Sequence, residues 1–498
     1  MTERIVVVGA GMVGHRFADE LVRSDRERRF EVDLVGAEEY EPYNRILLSD
    51  VLAGRSDLKA IGLPLPDARR VRFTRGVAAV RVDRAGRAVE LSDGSRRSYD
   101  RLVLATGARA FVPPLAGLEA DPRHVHVLRT LDDCRNVAAR AMNAKHAVVL
   151  GGGVLGLEAA CGLRRRGVPV TVVDLDGHLM AAQLDAPVAG VLAARLADVG
   201  IDVVTGTSVA EVISAYDELV AVRLTDGRVL AADLMLVSCG VRAETALAAD
   251  AGLEVDRGVV VDGALTTSDP RIHAIGDCAQ APDGMTGLLA PGWRQAEQLA
   301  ALLVGDSPRV PPAGAHEPVR LKAAGVDLVT MGVRASAARA TDRVISLSDA
   351  GGRRHVDLVV RADALVGVTC LGAPDLSASL AVVFDRGTPL PVDPLSLLVT
   401  ETRAEESASP VLMPGATTVC RCNGVSKKEI VSAWEAGAGD VAAVAAATRA
   451  TTGCGGCTEV VCGLVEWLNA SDPATPRDAT AARSTDVTRR NITAPSTS

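Results

Sequence analysis

Two unbroken aliphatic runs, Ile5 to Val8 and Ala147 to Leu150, pass straight into glycine clusters, G-A-G-M-V-G and G-G-G-V-L-G. Runs of this kind predict strands buried on both faces, each turning sharply into a helix. A second aliphatic run follows each helix. FEVDLV leads to Glu38, and VPVTVVD ends on Asp174. Farther along, EPVRLKAAGVDLVTMG and RRHVDLVVRADALVGVTCLG read as strands, and PDLSASLAVVFDRG reads as a helix. The charged, Ser- and Pro-bearing stretch 399–415 has the composition of a linker. Beyond it, Ser426 and Glu429 spell an S-x-x-E capping box that opens a helix. Val461, Leu464, Val465 and Leu468 form the apolar face of another. From 471 to 498 no apolar period survives, and the tail is expected to be disordered.

The glycine clusters carry the first chemistry. Gly9, Gly11 and Gly14 fit GxGxxG at a strand-to-helix turn, as do Gly151, Gly153 and Gly156. Such glycines allow a tight turn and a close backbone approach to a pyrophosphate, which then rests on a helix N-terminus. An acid at the end of the second strand binds a ribose hydroxyl. Glu38 stands 24 residues after Gly14, and Asp174 stands 18 after Gly156. One such motif is weak, but two complete ones imply two dinucleotides. Asp174, with no Arg beside it, would repel a 2′-phosphate, so NADH is expected over NADPH.

Composition narrows the class. The chain has 498 residues, which predicts three or four domains. Aromatics are only 2%, so Val, Leu and Ala must build the cores. A formal charge of −8 with no basic face argues against nucleic acid. No apolar run has the length of a membrane helix, and no membrane association is expected. Of ten cysteines, six are scattered and four cluster as Cys420-x-Cys422 and Cys454-x-x-Cys457. That usage suits a reducing, cytoplasmic setting with one metal or redox site. On spacing alone the four thiols fit either a structural zinc or an iron–sulfur cluster.

Four motifs in order resemble the two-dinucleotide flavoprotein reductases. They are the first glycine turn, YDRLVLATGA (99–108), the second glycine turn, and TTSDPRIHAIGDCA (266–279). The resemblance implies an α/β fold of glutathione-reductase type, with the NAD domain inserted in the FAD domain. It implies that FAD lies against Gly9, Gly11, Gly14, Glu38, Ala105, Thr106, Gly107, Gly276 and Asp277, and NAD against Gly151, Gly153, Gly156 and Asp174. The chain departs from the family at CGVRAET (239–245), which lacks the usual proline.

EPYNRILLSDVLAG (41–54), GGGVLGLEAA (151–160) and LLAPGWRQAEQLA (288–300) look like two narrower groups. These are the flavoprotein half of NADH-dependent nitrite reductase large subunits and the electron-transfer subunit of assimilatory nitrate reductases. That match implies Arg45 and Ser49 near the FAD, and Glu158 facing the nicotinamide as the catalytic residue. CRCNGV and TGCGGC resemble the bacterioferritin-associated-ferredoxin-like 2Fe–2S domain, with Cys420, Cys422, Cys454 and Cys457 as ligands. Residues 311–405 resemble the C-terminal domain of rubredoxin-type reductases.

The expected order is therefore FAD domain 1–115, NAD domain 116–245, FAD domain resumed 246–310, reductase C-terminal domain 311–405, linker 406–416, 2Fe–2S domain 417–470 and tail 471–498. No cysteine precedes Cys134, and Cys161 and Cys278 stand alone, which argues against a disulfide reductase or a thiol-based NADH oxidase. Cys462 is expected to be a packed helix thiol. The resemblance implies an electron relay from NADH to FAD to the cluster, and then to a molybdenum-containing nitrate reductase catalytic subunit. Nitrite reductase large subunits continue into a siroheme module, so this chain is not expected to reduce nitrite itself. A diaphorase for nitrite reductase, ferredoxin or rubredoxin remains open. So does a non-catalytic iron- or partner-binding role for the last module, and a homodimer stays among the assemblies allowed.

Overall fold

The computed structural model describes residues 2–120, 122–285, 287–307, 318–323, 325–398, 413–420, 422–453 and 455–471. Cys454, most of the expected linker and the tail from 472 onward lie outside the described residues. The chain divides into two units, 1–402 and 403–498.

In the first unit, the strands Ile272–Ala274, Arg101–Leu104, Glu3–Val8, Phe30–Val35 and Val71–Thr74 form one parallel sheet in that order. Ile5, Val6 and Val7 are wholly buried, as a central parallel strand requires. The helices Met12–Ser24 and Leu289–Val304 bring Phe17, Leu21, Ala296 and Leu299 into the same core. Val82, Val89 and Leu91, from a three-stranded antiparallel sheet (Ala79–Asp83, Ala88–Leu91, Arg96–Ser98), join it too.

The plan repeats. Ile201–Thr205, Val170–Asp174, Ala147–Leu150, Leu234–Val237 and Val125–Val127 form a second parallel sheet in that order. The helix Val154–Arg165 starts directly after its glycine turn. The short strands Ala108–Ala110 and Val241–Ala243 pair antiparallel where the chain passes between the two sheets.

Five antiparallel strands follow, in the order Val319–Ala323, Val326–Gly332, Ala364–Leu371, Arg354–Arg361, Arg343–Asp349. Strand alternation gives this sheet two apolar faces. Val329, Met331, Val356, Leu358 and Cys370 pack with Leu376 and Leu380 of the helix Pro374–Arg386. Leu321, Leu328 and Leu371 share a core with Leu157, Leu163 and Leu192 of the second parallel sheet's helices.

The second unit is small and mostly helical. A short hairpin, Thr418–Cys420 with Val425–Ser426, precedes helices Lys427–Glu435, Val441–Thr448 and Thr458–Ser471. The capping box forms as the sequence predicts: Ser426 Oγ accepts from the Glu429 amide, and Glu429 accepts from the Ser426 amide. The end of the expected linker is bonded within this unit, since Lys427 Nζ donates to the Met413 carbonyl at 2.8 Å. The last helix runs through Ser471, the first residue assigned to the tail.

Candidate functional site

The two glycine turns have the same division of labour among their three glycines. Gly9 sits at φ +112°, and a Cβ there would lie 2.1 Å from the Ala105 carbonyl oxygen. A Cβ on Gly14 would lie 2.0 Å from the Gly9 carbonyl oxygen. The second turn repeats this, with Gly151 at φ +113° and 2.3 Å from Ser238 O, and Gly156 at 2.0 Å from Gly151 O. First and third glycines are thus dictated by the protein's own packing. The middle ones are not, because a Cβ on Gly11 or Gly153 would meet nothing within 4 Å. That open space lies at the N-terminus of the helices that begin at Met12 and Val154, where amide N–H groups lack helical partners. Both turns fit a pyrophosphate by this test.

The remaining motifs gather around the first turn. Ala105 packs on Gly9, Thr106 Oγ1 donates to the Glu244 carbonyl at 2.7 Å, and the Glu244 amide donates to Gly107 O. Gly276 has φ +76°, and a Cβ there would lie 3.2 Å from Val13 of the first helix. Asp277 beside it accepts from Arg129 Nη2 at 2.9 Å, and Arg129 also donates to Ala108 O. Glu38 accepts from Tyr43 OH at 2.6 Å and pairs with Arg45, whose Nη1 donates to Arg129 O at 2.9 Å. A ribose hydroxyl at Glu38 would therefore share the carboxylate with two protein donors.

At the second turn, Asp174 Oδ2 accepts from the Gly152 amide at 2.7 Å, and Oδ1 accepts from the Asp176 amide at 3.1 Å. Burial raises this carboxyl above its ordinary range, against those two bonds.

Ser49 and Glu158, 109 residues apart, are brought together. Ser49 Oγ donates to Glu158 Oε2 at 2.5 Å, and both residues are buried. The other oxygen, Oε1, accepts from the Lys322 amide at 3.0 Å. Lys322 Nζ donates to Ile46 O at 2.8 Å and lies 3.3 Å from Asp50 Oδ2. Arg55 also pairs with Asp50. Burial raises the Glu158 carboxyl, while the Lys322 ammonium and the Ser49 hydroxyl pull it down. Sequence reasoning missed Lys322 and Arg129. Lys322 lies on a strand of the antiparallel sheet, and only tertiary pairing carries it to Glu158, so no local pattern marks it.

The thiols of the first unit are protected rather than poised. Burial pushes Cys134, Cys161 and Cys239 up to about 11 and Cys370 up to about 12. Cys278, fully buried, is also raised. No disulfide occurs among the described cysteines.

The second unit differs. Cys420 Sγ lies 3.6 Å from Cys422 Sγ. Two thiolates on one tetrahedral metal, at about 2.3 Å each, are about 3.8 Å apart, so this spacing fits a shared metal. Cys422 and Cys457 hydrogen-bond the Cys420 sulfur and pull its proton affinity down against burial. Among the described residues no three metal-ligating side chains close on one point. Cys454, the fourth expected ligand, lies outside them. Cys462, on the last helix, is half-buried.

Comparison with known proteins supplies the family. The pyridine nucleotide-disulphide oxidoreductase family matches residues 3–298, and the BFD-like [2Fe-2S] binding domain matches 418–467. The nitrite reductase [NAD(P)H] large subunit of Klebsiella oxytoca is 36% identical over 93% of this chain and 49% of its own length. The assimilatory nitrate reductase electron transfer subunit of Bacillus subtilis is 31% identical over 99% of this chain and 63% of its own. The chain thus spans about half to three-fifths of these relatives. A solved putidaredoxin reductase–putidaredoxin complex matches with a TM-score of 0.70 and 29% identity, covering 81% of this chain and 97% of that one. The chain belongs to the pyridine nucleotide-disulphide oxidoreductase family, as an FAD- and NAD(H)-using oxidoreductase that also carries a BFD-like 2Fe–2S domain.

Proposed function

We propose that this chain takes electrons from NADH and delivers them singly to a separate protein acceptor, the molybdenum catalytic subunit of an assimilatory nitrate reductase. When bound, FAD supplies hydride acceptance and the 2Fe–2S cluster supplies one-electron transfer. One observation carries the reading. The flavoprotein unit has two dinucleotide turns and no disulfide among its described cysteines, while the small unit sets Cys420 Sγ 3.6 Å from Cys422 Sγ. Electrons leaving this flavin need an outlet other than a nearby thiol pair.

In this reading Gly9, Gly11 and Gly14 seat the FAD pyrophosphate, and Glu38 holds its ribose. Arg45 and Ala105–Gly107 border it, while Gly276 and Asp277 meet the ribitol, with Arg129 fixing the Asp277 carboxylate. Gly151, Gly153 and Gly156 seat NADH, and Asp174 favours it over NADPH. Glu158 faces the nicotinamide, held by hydrogen bonds from Ser49 Oγ and the Lys322 amide, with the Lys322 ammonium as the opposite charge. Cys420, Cys422, Cys454 and Cys457 hold the cluster. The partner assignment leans on the Bacillus subtilis relative, which matches nearly the whole of this chain. Among the described residues no helix is long and apolar enough to cross a membrane.

Purified chain, NADH and nitrate, with and without the molybdenum subunit, test the partner. Nitrate loss only with the subunit supports the proposal, and no NADH-driven nitrate loss with it present contradicts it. The Klebsiella oxytoca similarity favours one other reading, a donor to nitrite reduction. The same assay with nitrite and a separate siroheme enzyme would show it.

A further inference from the structure

The first cysteine pair and the bend that precedes the second meet at one side chain, the amide of Asn423. Its Nδ2 lies 3.7 Å from Cys420 Sγ and 3.8 Å from Cys422 Sγ. The same nitrogen lies 2.7 Å from the Arg449 carbonyl oxygen and 3.3 Å from Thr452 Oγ1. A carbonyl oxygen only accepts, so the atom facing Arg449 must be the nitrogen and not the amide oxygen. An amide nitrogen carries two hydrogens, enough to serve a sulfur on one side and the backbone on the other.

The segment it reaches is an unusual one. Arg449 and Thr451 both have positive φ, 65° and 69°, although neither is glycine. Such residues persist only where their surroundings hold them. Thr452 Oγ1 donates back to Arg449 O at 2.8 Å, and Asn423 completes the hold from the other cysteine loop. This bend leads from the helix Val441–Thr448 toward the second cysteine pair.

We propose that Asn423 is a positioning residue for the cluster that also sets its potential. One amide hydrogen donates to the ligand sulfurs of Cys420 and Cys422, and the other ties the bend at 449–452 to the first loop. Hydrogen bonds to cluster sulfurs stabilise the more negative, reduced state and raise the midpoint potential. The tie resists separation of the two ligand pairs and slows cluster loss. The inference rests on the 2Fe–2S reading of the four cysteines.

The holoprotein tests it through Asn423→Leu and Asn423→Asp, which keep the approximate size and remove both donors. Iron and sulfide content with the visible spectrum first establish the cluster; a colourless, iron-free parent protein would sink the 2Fe–2S reading itself. In loaded variants the cluster's midpoint potential should fall, and its release to a chelator should quicken about 10-fold. Loaded variants with unchanged potential and release rate would overturn the proposal. Pulsed EPR of the reduced parent protein carrying asparagine 15N-labelled only at the side-chain amide needs no variant, and that label leaves out the Asn423 backbone amide, which also bonds Cys420. It should show an amide-nitrogen coupling to the cluster, and the lack of that coupling would overturn the proposal even if the variants failed to load.

Discussion

Gly11 and Gly14 lie three residues apart in one motif, yet opposite forces hold them. Gly14 faces its own chain, and a methyl group there would overlap the Gly9 carbonyl oxygen at 2.0 Å. Gly14→Ala should therefore destabilise the first unit by about 1–3 kcal/mol or more, read as a lowered unfolding midpoint. Gly11→Ala meets no protein atom within 4 Å, and its φ of −68° suits any residue. Its midpoint without flavin should change by less than about 1 kcal/mol, while flavin content falls sharply. Equal loss of stability in both variants would contradict this division. The glycine spacing is legible in the sequence, but which glycine serves the fold and which the ligand is a matter of distance.

Glu158 makes a second prediction at this scale. Its carboxyl is raised above the ordinary value of 4.5, chiefly by burial. Folding therefore favours its protonated form, and the stability it contributes is present below about pH 4.5 and declines as pH rises through the folded value. The Lys322 ammonium pulls that value down, so Lys322→Met raises it further and extends the decline to higher pH. The variant's deficit in urea unfolding should grow as pH rises through the parent's folded value, which lies above 4.5, and shrink in a Glu158→Gln background. A deficit independent of pH would show that Lys322 does not act through Glu158.

The elements most legible in the sequence are those whose local code and tertiary setting agree. Ile5–Val8 and Ala147–Leu150 read as buried strands because central parallel strands need aliphatic side chains on both faces. Ser426 and Glu429 read as a helix start because the capping box is complete within four residues. Ser426→Ala removes the acceptor of the Glu429 amide and should cost about 1 kcal/mol of helix stability, measured by hydrogen exchange over Lys427–Glu435. Unchanged exchange there would deny the cap its role. Strand order in the antiparallel sheet was not legible. Val319–Ala323 sits at one edge and Arg343–Asp349 at the other, a choice made by pairing and by the shared core with Leu157 and Leu192. The Lys322–Glu158 bond depends on that choice, which is why the residue escaped notice.

For the molecule as a whole, the order of motifs carried most of the information. Two glycine turns, the 105–107 loop and the Gly276–Asp277 pair stand far apart in sequence. Three of these four meet because parallel strands bring their C-terminal ends to one edge of a sheet. The cysteines are a separate matter: the spacing fitted zinc as well as iron, and sulfur positions alone keep both open. Family membership of residues 418–467 decides for 2Fe–2S. The central claim is that this cluster is the outlet for electrons taken from NADH. Anaerobic titration of the full chain with NADH, followed by visible and EPR spectra, tests it most directly. The account predicts flavin bleaching accompanied by the signal of a reduced 2Fe–2S cluster. A flavin that bleaches while a fully loaded cluster stays oxidised would contradict it.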